Sequence, residues 1–169
     1  MPGLAADTLI EGIEGPVQIG TLAGKSVPGL TRLPNGSFGF RRLAVTKAAE
    51  NAPVVRIMLS NGLAVTAARD QVFIRKGGVE GVLAQDLKAG DPLEPSWVFL
   101  EGYTSPYAAD SPSEACYRVV AVEAAGHAEV FLASVRETGR FYLTCGVLCR
   151  DAPPSGSGKA AAARASKKG

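Results

Sequence analysis

An all-β fold is what this sequence predicts, and three observations carry that expectation. Short runs rich in Val, Ile, Phe, Tyr and Thr recur along most of the chain, and Gly, Pro, Asn or Asp separate them. Asn61-Gly62 lies between two apolar runs and is the strongest hairpin signal, because both residues tolerate the positive φ of a type I′ turn. Helical signals are thin: Lys47–Asn51 and Leu83–Leu87 have room for a turn or two, and the Ala-rich stretch near residues 160–165 has propensity but no apolar face.

Taken in order, the expected strands are Thr8–Ile10, Pro16–Ile19, Phe38–Thr46, Val54–Leu59, Leu63–Thr66, Gln71–Arg75, Tyr117–Val122, Ala128–Val135 and Arg140–Leu143. Asn35-Gly36 marks a second, weaker hairpin ahead of Phe38. Residues 103–115, with two prolines and several small polar residues, read as an exposed loop set between strands. The run Pro153-Pro154-Ser155-Gly156-Ser157-Gly158 has linker composition and leads into a basic tail. The expected organisation is one domain over residues 1–152 followed by a flexible tail over 153–169.

With 169 residues, of which 46% are hydrophobic and 20% charged, the chain can bury one ordinary core without metal or disulfide. No apolar run approaches the roughly 18 residues of a membrane helix, and the start has no basic region followed by an apolar stretch, so neither membrane nor secretion is expected. Cys116, Cys145 and Cys149 leave one thiol over in any pairing scheme, which points to a reducing, cytoplasmic setting. Cys145 and Cys149 have CxxxC spacing, yet His127 is the only histidine, so no metal and no other cofactor is expected. The tail holds Lys159, Arg164, Lys167 and Lys168 and no acid, which exceeds the whole chain's net charge of +2 and leaves the body slightly acidic. Any weak contact with nucleic acid or an acidic surface belongs to those four cations.

Four segments in this order resemble the blocks of the Hint superfamily, the hedgehog and intein autoprocessing domains. Gly3-Leu4-Ala5-Ala6-Asp7-Thr8 is similar to the first block, in which a Cys or Ser precedes a Leu-Ala-x-Asp-Thr-like stretch. The hairpin Leu59–Thr66 followed by Val72-Phe73-Ile74 resembles the second, and Leu87-Lys88-Ala89-Gly90-Asp91-Pro92-Leu93 resembles the segment after it. Arg140–Asp151 matches the last block, which in the family ends in His-Asn. The resemblance spans residues 3–151 and implies a compact, horseshoe- or disk-like all-β body of many short, irregular strands, with its N- and C-terminal blocks side by side.

The family's reaction starts when a thiol or hydroxyl attacks the preceding carbonyl, assisted by an imidazole. Here the nucleophile position is Gly3, which has no side chain. The second-block threonine is present as Thr66, but its histidine falls among Arg69, Asp70 and Gln71. The last block's histidine is Arg140, its closing His-Asn is Arg150-Asp151, and the downstream nucleophile is Ala152. An ionised aspartate cannot copy the attack by which asparagine cleaves its own peptide bond. The resemblance therefore implies a fold kept without its chemistry, serving as a structural or protein-binding module with a partner still unidentified.

Three features keep a rival in view. Cys149 or Cys145, beside the terminal junction, would be a displaced nucleophile if a neighbouring cation lowered its pKa, and residual C-terminal cleavage through Cys149 or Asp151 is the alternative function. Asp70 and Asp151 would form a carboxylate pair if the blocks converge, although a salt bridge to Arg69, Arg140 or Arg150 is the plainer use. An intein precursor deliberately inactivated by mutation is the third reading. His127 is expected as an exposed turn residue.

Overall fold

A computed structural model describes residues 2–96 and 116–151. The loop expected at 103–115, Ala152, the linker and the basic tail lie outside the described residues. Within them the chain forms eleven strands: β1 (Leu4–Ala5), β2 (Leu9–Gly12), β3 (Gly15–Gln18), β4 (Ser26–Arg32), β5 (Phe38–Leu59), β6 (Ala64–Ala68), β7 (Val72–Ile74), β8 (Gly81–Leu83), β9 (Val119–Ser134), β10 (Arg140–Tyr142) and β11 (Leu148–Arg150). Two single 3₁₀ turns, Ile19–Leu22 and Ala84–Asp86, are the only helical elements among the described residues. No described helix is long and apolar enough to cross a membrane.

One seven-stranded sheet runs in the order β3-β2-β4-β5-β6-β1-β9, and a second of four runs β10-β11-β7-β8. Because β5 also pairs with β9, the strands β5, β6, β1 and β9 close on themselves as a ring. The curvature comes from β5, whose pairing with β9 shifts register between Lys47 and Ala49, Ala49 and Ala52, and Pro53 and Val55. Such irregularities change which residues face inward along part of the strand. Leu43 and Val45 are buried, then Ala52 and Val54, then Val55, Ile57 and Leu59, so the inward set changes parity twice along one strand. Pro53, which donates no ladder bond, falls in this irregular stretch.

The main core lies between the sheets and joins Leu4, Ile10, Leu43, Val45 and Ile57 with Phe73, Leu93, Phe141, Val147 and Cys149. A second cluster, Leu30, Val72, Ile74, Tyr142 and Leu148, is packed by Phe38 and Phe40. A third, built from Ala52, Val54, Ala68 and Val130, fills the inside of the bend with small side chains.

Several sequence expectations are corrected at the level of single elements. Lys47–Asn51 is strand, not helix: its residues pair with Phe131 and Val130 of β9, and Lys47 Nζ meets Glu129 Oε2 at 2.8 Å across the ladder. Tertiary pairing overrides the helical propensity of Lys-Ala-Ala-Glu. The same pairing fuses Phe38–Thr46 with Val54–Leu59, and Tyr117–Val122 with Ala128–Val135, into single long strands. His127 is exposed, as expected, but sits in β9 opposite Pro53 rather than in a turn. Strand β4 was not anticipated, because Pro28 and Gly29 mask it; both pair regularly with Arg42 and Arg41 of β5. The expected helical turn at Leu83–Leu87 is the 3₁₀ turn Ala84–Asp86.

Asn61-Gly62 does form the hairpin, with one more loop residue than type I′ requires. The Gly62 N–H donates to the Leu59 carbonyl at 3.0 Å and the Leu59 N–H to the Leu63 carbonyl at 2.9 Å, a three-residue loop closed by a glycine bulge. Asn61 Oδ1 accepts the Leu63 N–H at 2.9 Å and fixes the turn. The Asn35-Gly36 turn repeats the same pattern, as does Thr144-Cys145-Gly146 between β10 and β11.

Gly62 has φ +85° and nothing within 4 Å of where a Cβ would stand, whereas Gly146 has φ +99° and Tyr117 Cε2 only 2.4 Å from that point. Gly62→Ala then meets backbone strain alone and is expected to cost about 1 kcal/mol. Gly146→Ala adds a collision with a buried ring and is expected to cost about 3 kcal/mol. Urea unfolding of the two variants side by side checks the ranking.

Candidate functional site

Several positions singled out in the sequence are linked by hydrogen bonds that run from the head of β1 through the end of β6 to β11. Gly3 is buried at the head of β1, and its carbonyl accepts the Ala68 N–H at 2.9 Å. The Ala68 carbonyl accepts the Gln71 N–H at 3.0 Å. The Gln71 side-chain amide then donates to the Arg150 carbonyl at 2.9 Å and, more weakly, to the Val72 carbonyl at 3.2 Å. Three hydrogen bonds thus connect the first block to the last through the end of β6. Gln71 is 1% exposed, and its amide is a neutral donor that can be buried once its bonds are made.

Space at Gly3 is limited. A Cβ built there would stand 3.0 Å from Val130 Cβ and 3.1 Å from the Phe131 carbonyl oxygen, so any side chain would have to displace β9 by a few tenths of an ångström. The glycine is a packing partner of the small-residue cluster in the bend, and no nucleophile is carried at this position.

Arg140 and Arg150 face each other across β10 and β11. Arg140 Nη1 donates to the Gly78 carbonyl at 2.6 Å and Nη2 to the Arg32 carbonyl at 3.1 Å, while Arg150 Nη2 donates to the Val79 carbonyl at 3.3 Å. Both guanidinium groups therefore hold the turn between β7 and β8. Around Arg140 lies a polar cluster that the sequence did not flag. Arg32 Nη2 pairs with Glu94 Oε2 at 2.5 Å, Glu94 Oε1 accepts the Gly77 N–H at 3.0 Å, and the Thr31 hydroxyl donates to the Arg140 carbonyl at 2.7 Å. Arg32 also lies 4.3 Å from the centre of the Phe38 ring. Burial, opposed by Arg32 and Arg140, holds the Tyr142 hydroxyl well above its ordinary pKa, and it donates to the Pro95 carbonyl at 2.8 Å. The only usable signal for this cluster was Glu94 itself, an acid between Leu93 and Pro95 in an apolar run.

Asp151 is half-buried. Its N–H donates to the Gly139 carbonyl at 2.9 Å, and its Oδ2 accepts the Val135 N–H at 3.3 Å. Burial raises its pKa, and the Val135 N–H and the charge of Arg150 offset part of that rise. The carboxyl faces Val135 and Arg150, not a second carboxylate. Asp70 is half-buried and Arg69 exposed at the end of β6.

The thiols are poorly set for attack. Cys149 is fully buried in the main core, and burial holds it well above an ordinary thiol, with Cys145 adding to the rise. Cys145 is pushed up to about 12 by burial, with backbone hydrogen bonds working the other way. A neutral thiol is a weak nucleophile at physiological pH. Arg140 and Arg150 bind carbonyls of the β7–β8 turn and do not lower either thiol. No group of three or more His, Cys, Asp or Glu side chains that could hold a metal occurs among the described residues.

Thr66 stands apart from this convergence. It lines a cavity of about 280 Å³ together with Asp7, Thr8, Leu9, Arg56, Leu63, Ala64, Val65, Thr144 and Cys145. The structure therefore brings Gly3, Gln71, Arg150 and Asp151 into one region, with Arg140 beside it, and leaves Thr66 in a separate hollow.

Because the pKa of Asp151 is raised on folding, its folded form holds a proton more tightly than its unfolded form. Between the unfolded value of 3.8 and the higher folded value, stability falls as pH rises, and above both it stays at the lower level. Asp151→Asn keeps an acceptor for Val135 and removes the charge. It is expected to raise the urea midpoint at pH 7 relative to the parent, with the gap closing at about pH 3. A lower midpoint for the variant at pH 7 would contradict this account.

Known structures place the fold. The chain is similar to the crystal structure of an Ssp DnaB mini-intein variant, with 16% identity and TM-score 0.70 over 91% of this chain and 96% of that one. It is similar to a DnaB intein from Synechocystis sp., with 14% identity and TM-score 0.67 over 90% and 99%. A bacterial intein-like domain from Clostridium thermocellum, known from its solution structure, gives 18% identity and TM-score 0.65 over 89% and 99%. No protein-family model matches the sequence, and no curated protein does. The likeness establishes that this chain has the intein-type, or Hint, fold.

Proposed function

We propose that this chain is a catalytically silent domain of the intein-type fold that works as a protein-binding or structural module in a reducing, cytoplasmic setting. The observation that carries the reading is the chemistry at the junction of the first and last blocks. Autoprocessing needs a nucleophile at the first position, a proton carrier beside it, and a side-chain amide at the last. The residues there are Gly3, hemmed in by Val130, and Arg140 and Arg150, whose guanidinium groups carry donors and no acceptor. Asp151 closes the block with a carboxyl in place of the amide.

Arginine in place of histidine keeps a donor and a positive charge but abolishes proton transfer. Both arginines donate to backbone carbonyls, which supports a structural use of these positions. All three cysteines are free, in keeping with a reducing compartment. The basic tail, through Lys159, Arg164, Lys167 and Lys168, supplies a second, salt-sensitive contact for an acidic surface or a nucleic acid.

Intact-mass measurement tests the reading directly. The purified chain is expected to keep its full mass through days of incubation, with or without added thiol or hydroxylamine. Release of the residues that follow Asp151 would instead establish residual C-terminal cleavage through Asp151 or Cys149. A mass that falls only after Gly3→Cys and Asp151→Asn are both introduced would identify a precursor inactivated by mutation. Capture of the same partner by the full chain and by one ending at Asp151 would assign binding to the folded body rather than the tail.

A further inference from the structure

Three asparagines occur in the chain, and two of them, Asn35 and Asn61, are followed by glycine. In an Asn-Gly pair the glycine nitrogen can attack the asparagine side-chain carbonyl, because no Cβ on the following residue shields it. The two pairs sit in the same kind of turn. In each, a glycine at positive φ, +88° at Gly36 and +85° at Gly62, donates its N–H to the carbonyl three residues back, at 2.8 Å to Leu33 and 3.0 Å to Leu59. With the backbones matched, the side-chain contacts decide which asparagine reacts.

Those contacts differ at both ends of the amide. Asn61 is half-buried and held twice: its Nδ2 donates to the Cys145 carbonyl at 2.8 Å, and its Oδ1 accepts the Leu63 N–H at 2.9 Å. Turning its Cγ toward the Gly62 nitrogen breaks the link to the β10–β11 hairpin. Asn35 is exposed, and no described residue accepts from its Nδ2. Its Oδ1 instead accepts two donors from Ser37, the N–H at 3.0 Å and the hydroxyl at 2.7 Å. Attack at Cγ turns that oxygen into an oxyanion, and donors already aimed at it stabilise the charge as it forms. Asn51 has neither advantage, since it lies within β5 and precedes Ala52, whose Cβ shields the nitrogen.

We propose that Asn35 is a self-modification site, converted through a cyclic imide to aspartate and isoaspartate, while Asn61 in the matching turn is spared. The Gly36 nitrogen gives up its proton to solvent and bonds to Asn35 Cγ. The Cγ–Nδ2 bond then breaks, and Nδ2 takes a proton and leaves as ammonia. Water opens the imide at either carbonyl. One route leaves the carboxylate on the side chain as aspartate; the other carries the main chain through the side-chain carbon as isoaspartate. Either product adds a negative charge to a turn that Arg32 holds through the Gly36 carbonyl at 3.0 Å, and Arg32 is also the partner of Glu94. The proposal is independent of the inactive reading, because the chain stays whole and ends with a carboxylate in place of one amide, whereas cleavage would shorten it.

Incubation of the intact protein in mildly alkaline buffer, followed by tryptic mapping, tests it, because Asn35, Asn51 and Asn61 fall in separate peptides, residues 33–41, 48–56 and 57–69. Conversion at Asn35 is expected to run at least about tenfold faster than at Asn61 or Asn51, with electron-transfer fragmentation showing both isoaspartate and aspartate. Ser37→Ala removes one of the two donors and is expected to slow conversion about threefold, whereas Ser37→Thr keeps the hydroxyl and should stay within about twofold of the parent. In urea sufficient to unfold the chain, where the Cys145 contact is gone, Asn61 is expected to come within about threefold of Asn35. Equal rates in the folded protein, an unchanged rate in Ser37→Ala, or an undiminished gap in urea would each overturn the proposal.

Discussion

Everything in this fold depends on two residues at its start. Leu4 and Ala5 form β1, which pairs with Ala67 of β6 on one side and with Phe131 and Val130 of β9 on the other. Without that short strand β6 and β9 would each present an open edge, and the ring through β5 would not close. Leu4 is fully buried in the main core, and its burial contributes roughly 2–3 kcal/mol. The effect extends along the chain. The Thr8 N–H returns to the Ala5 carbonyl, the Gly20 N–H to the Ala6 carbonyl and the Ile19 N–H to the Thr8 carbonyl, so β1 also seats the 3₁₀ turn that carries Ile19 and Leu22 into the core. Gly20 has no room for a Cβ because Ala6 lies 2.8 Å away.

The last block is held by neutral amides and fixed cations rather than by groups that titrate near neutrality. Asn61 and Gln71 each send a side-chain amide across to a carbonyl of the β10–β11 hairpin, at 2.8 and 2.9 Å. Burying an amide with its bonds made costs far less than burying an ion, so such links can lie inside the structure. Arg140 donates to two carbonyls and Arg150 to one. The Arg32–Glu94 pair is the exception, a largely buried ion pair that tolerates burial because both partners are further bonded: Glu94 to the Gly77 N–H, Arg32 to the Gly36 carbonyl. Links assembled from these groups tie the hairpin to the rest of the fold.

Much of the architecture could be read in the sequence because it is local. The turn glycines and the apolar run Val54–Leu59 depend on near neighbours and were legible, whereas the paired ends were legible only through the resemblance of their blocks. What escaped was non-local. Lys47–Asn51 carries helical residues that only the partner strand β9 forces to extend, and the parity changes along β5 arise from bulges that no run of side chains announces. The candidate site divides the same way. Gly3, Arg150, Asp151 and the trio Arg69, Asp70 and Gln71 were singled out from block order, and hydrogen bonds link Gly3 to Arg150 by way of Gln71. That Gln71 is the hydrogen-bonded bridge, that Arg140 serves a cluster centred on Glu94, and that Thr66 faces a different hollow all required the third dimension. Pairing of Asp70 with Asp151 was a reasonable inference from proximity, but Asp151 turns toward Val135.

Polar satisfaction separates two regions that the sequence placed together. At the junction of the first and last blocks the polar side chains are engaged: Gln71, Arg140 and Arg150 donate to carbonyls, and Asp151 accepts from Val135. Engaged donors and acceptors add stability and hold the geometry of this junction. Across β6, Arg56 and Asp7 are exposed to water instead, and Thr144 Oγ1, like Arg75 Nε, is buried without a partner among the described residues. Exposed charges are completed by water, whereas a sealed hydroxyl without a partner lowers stability by about 1–3 kcal/mol.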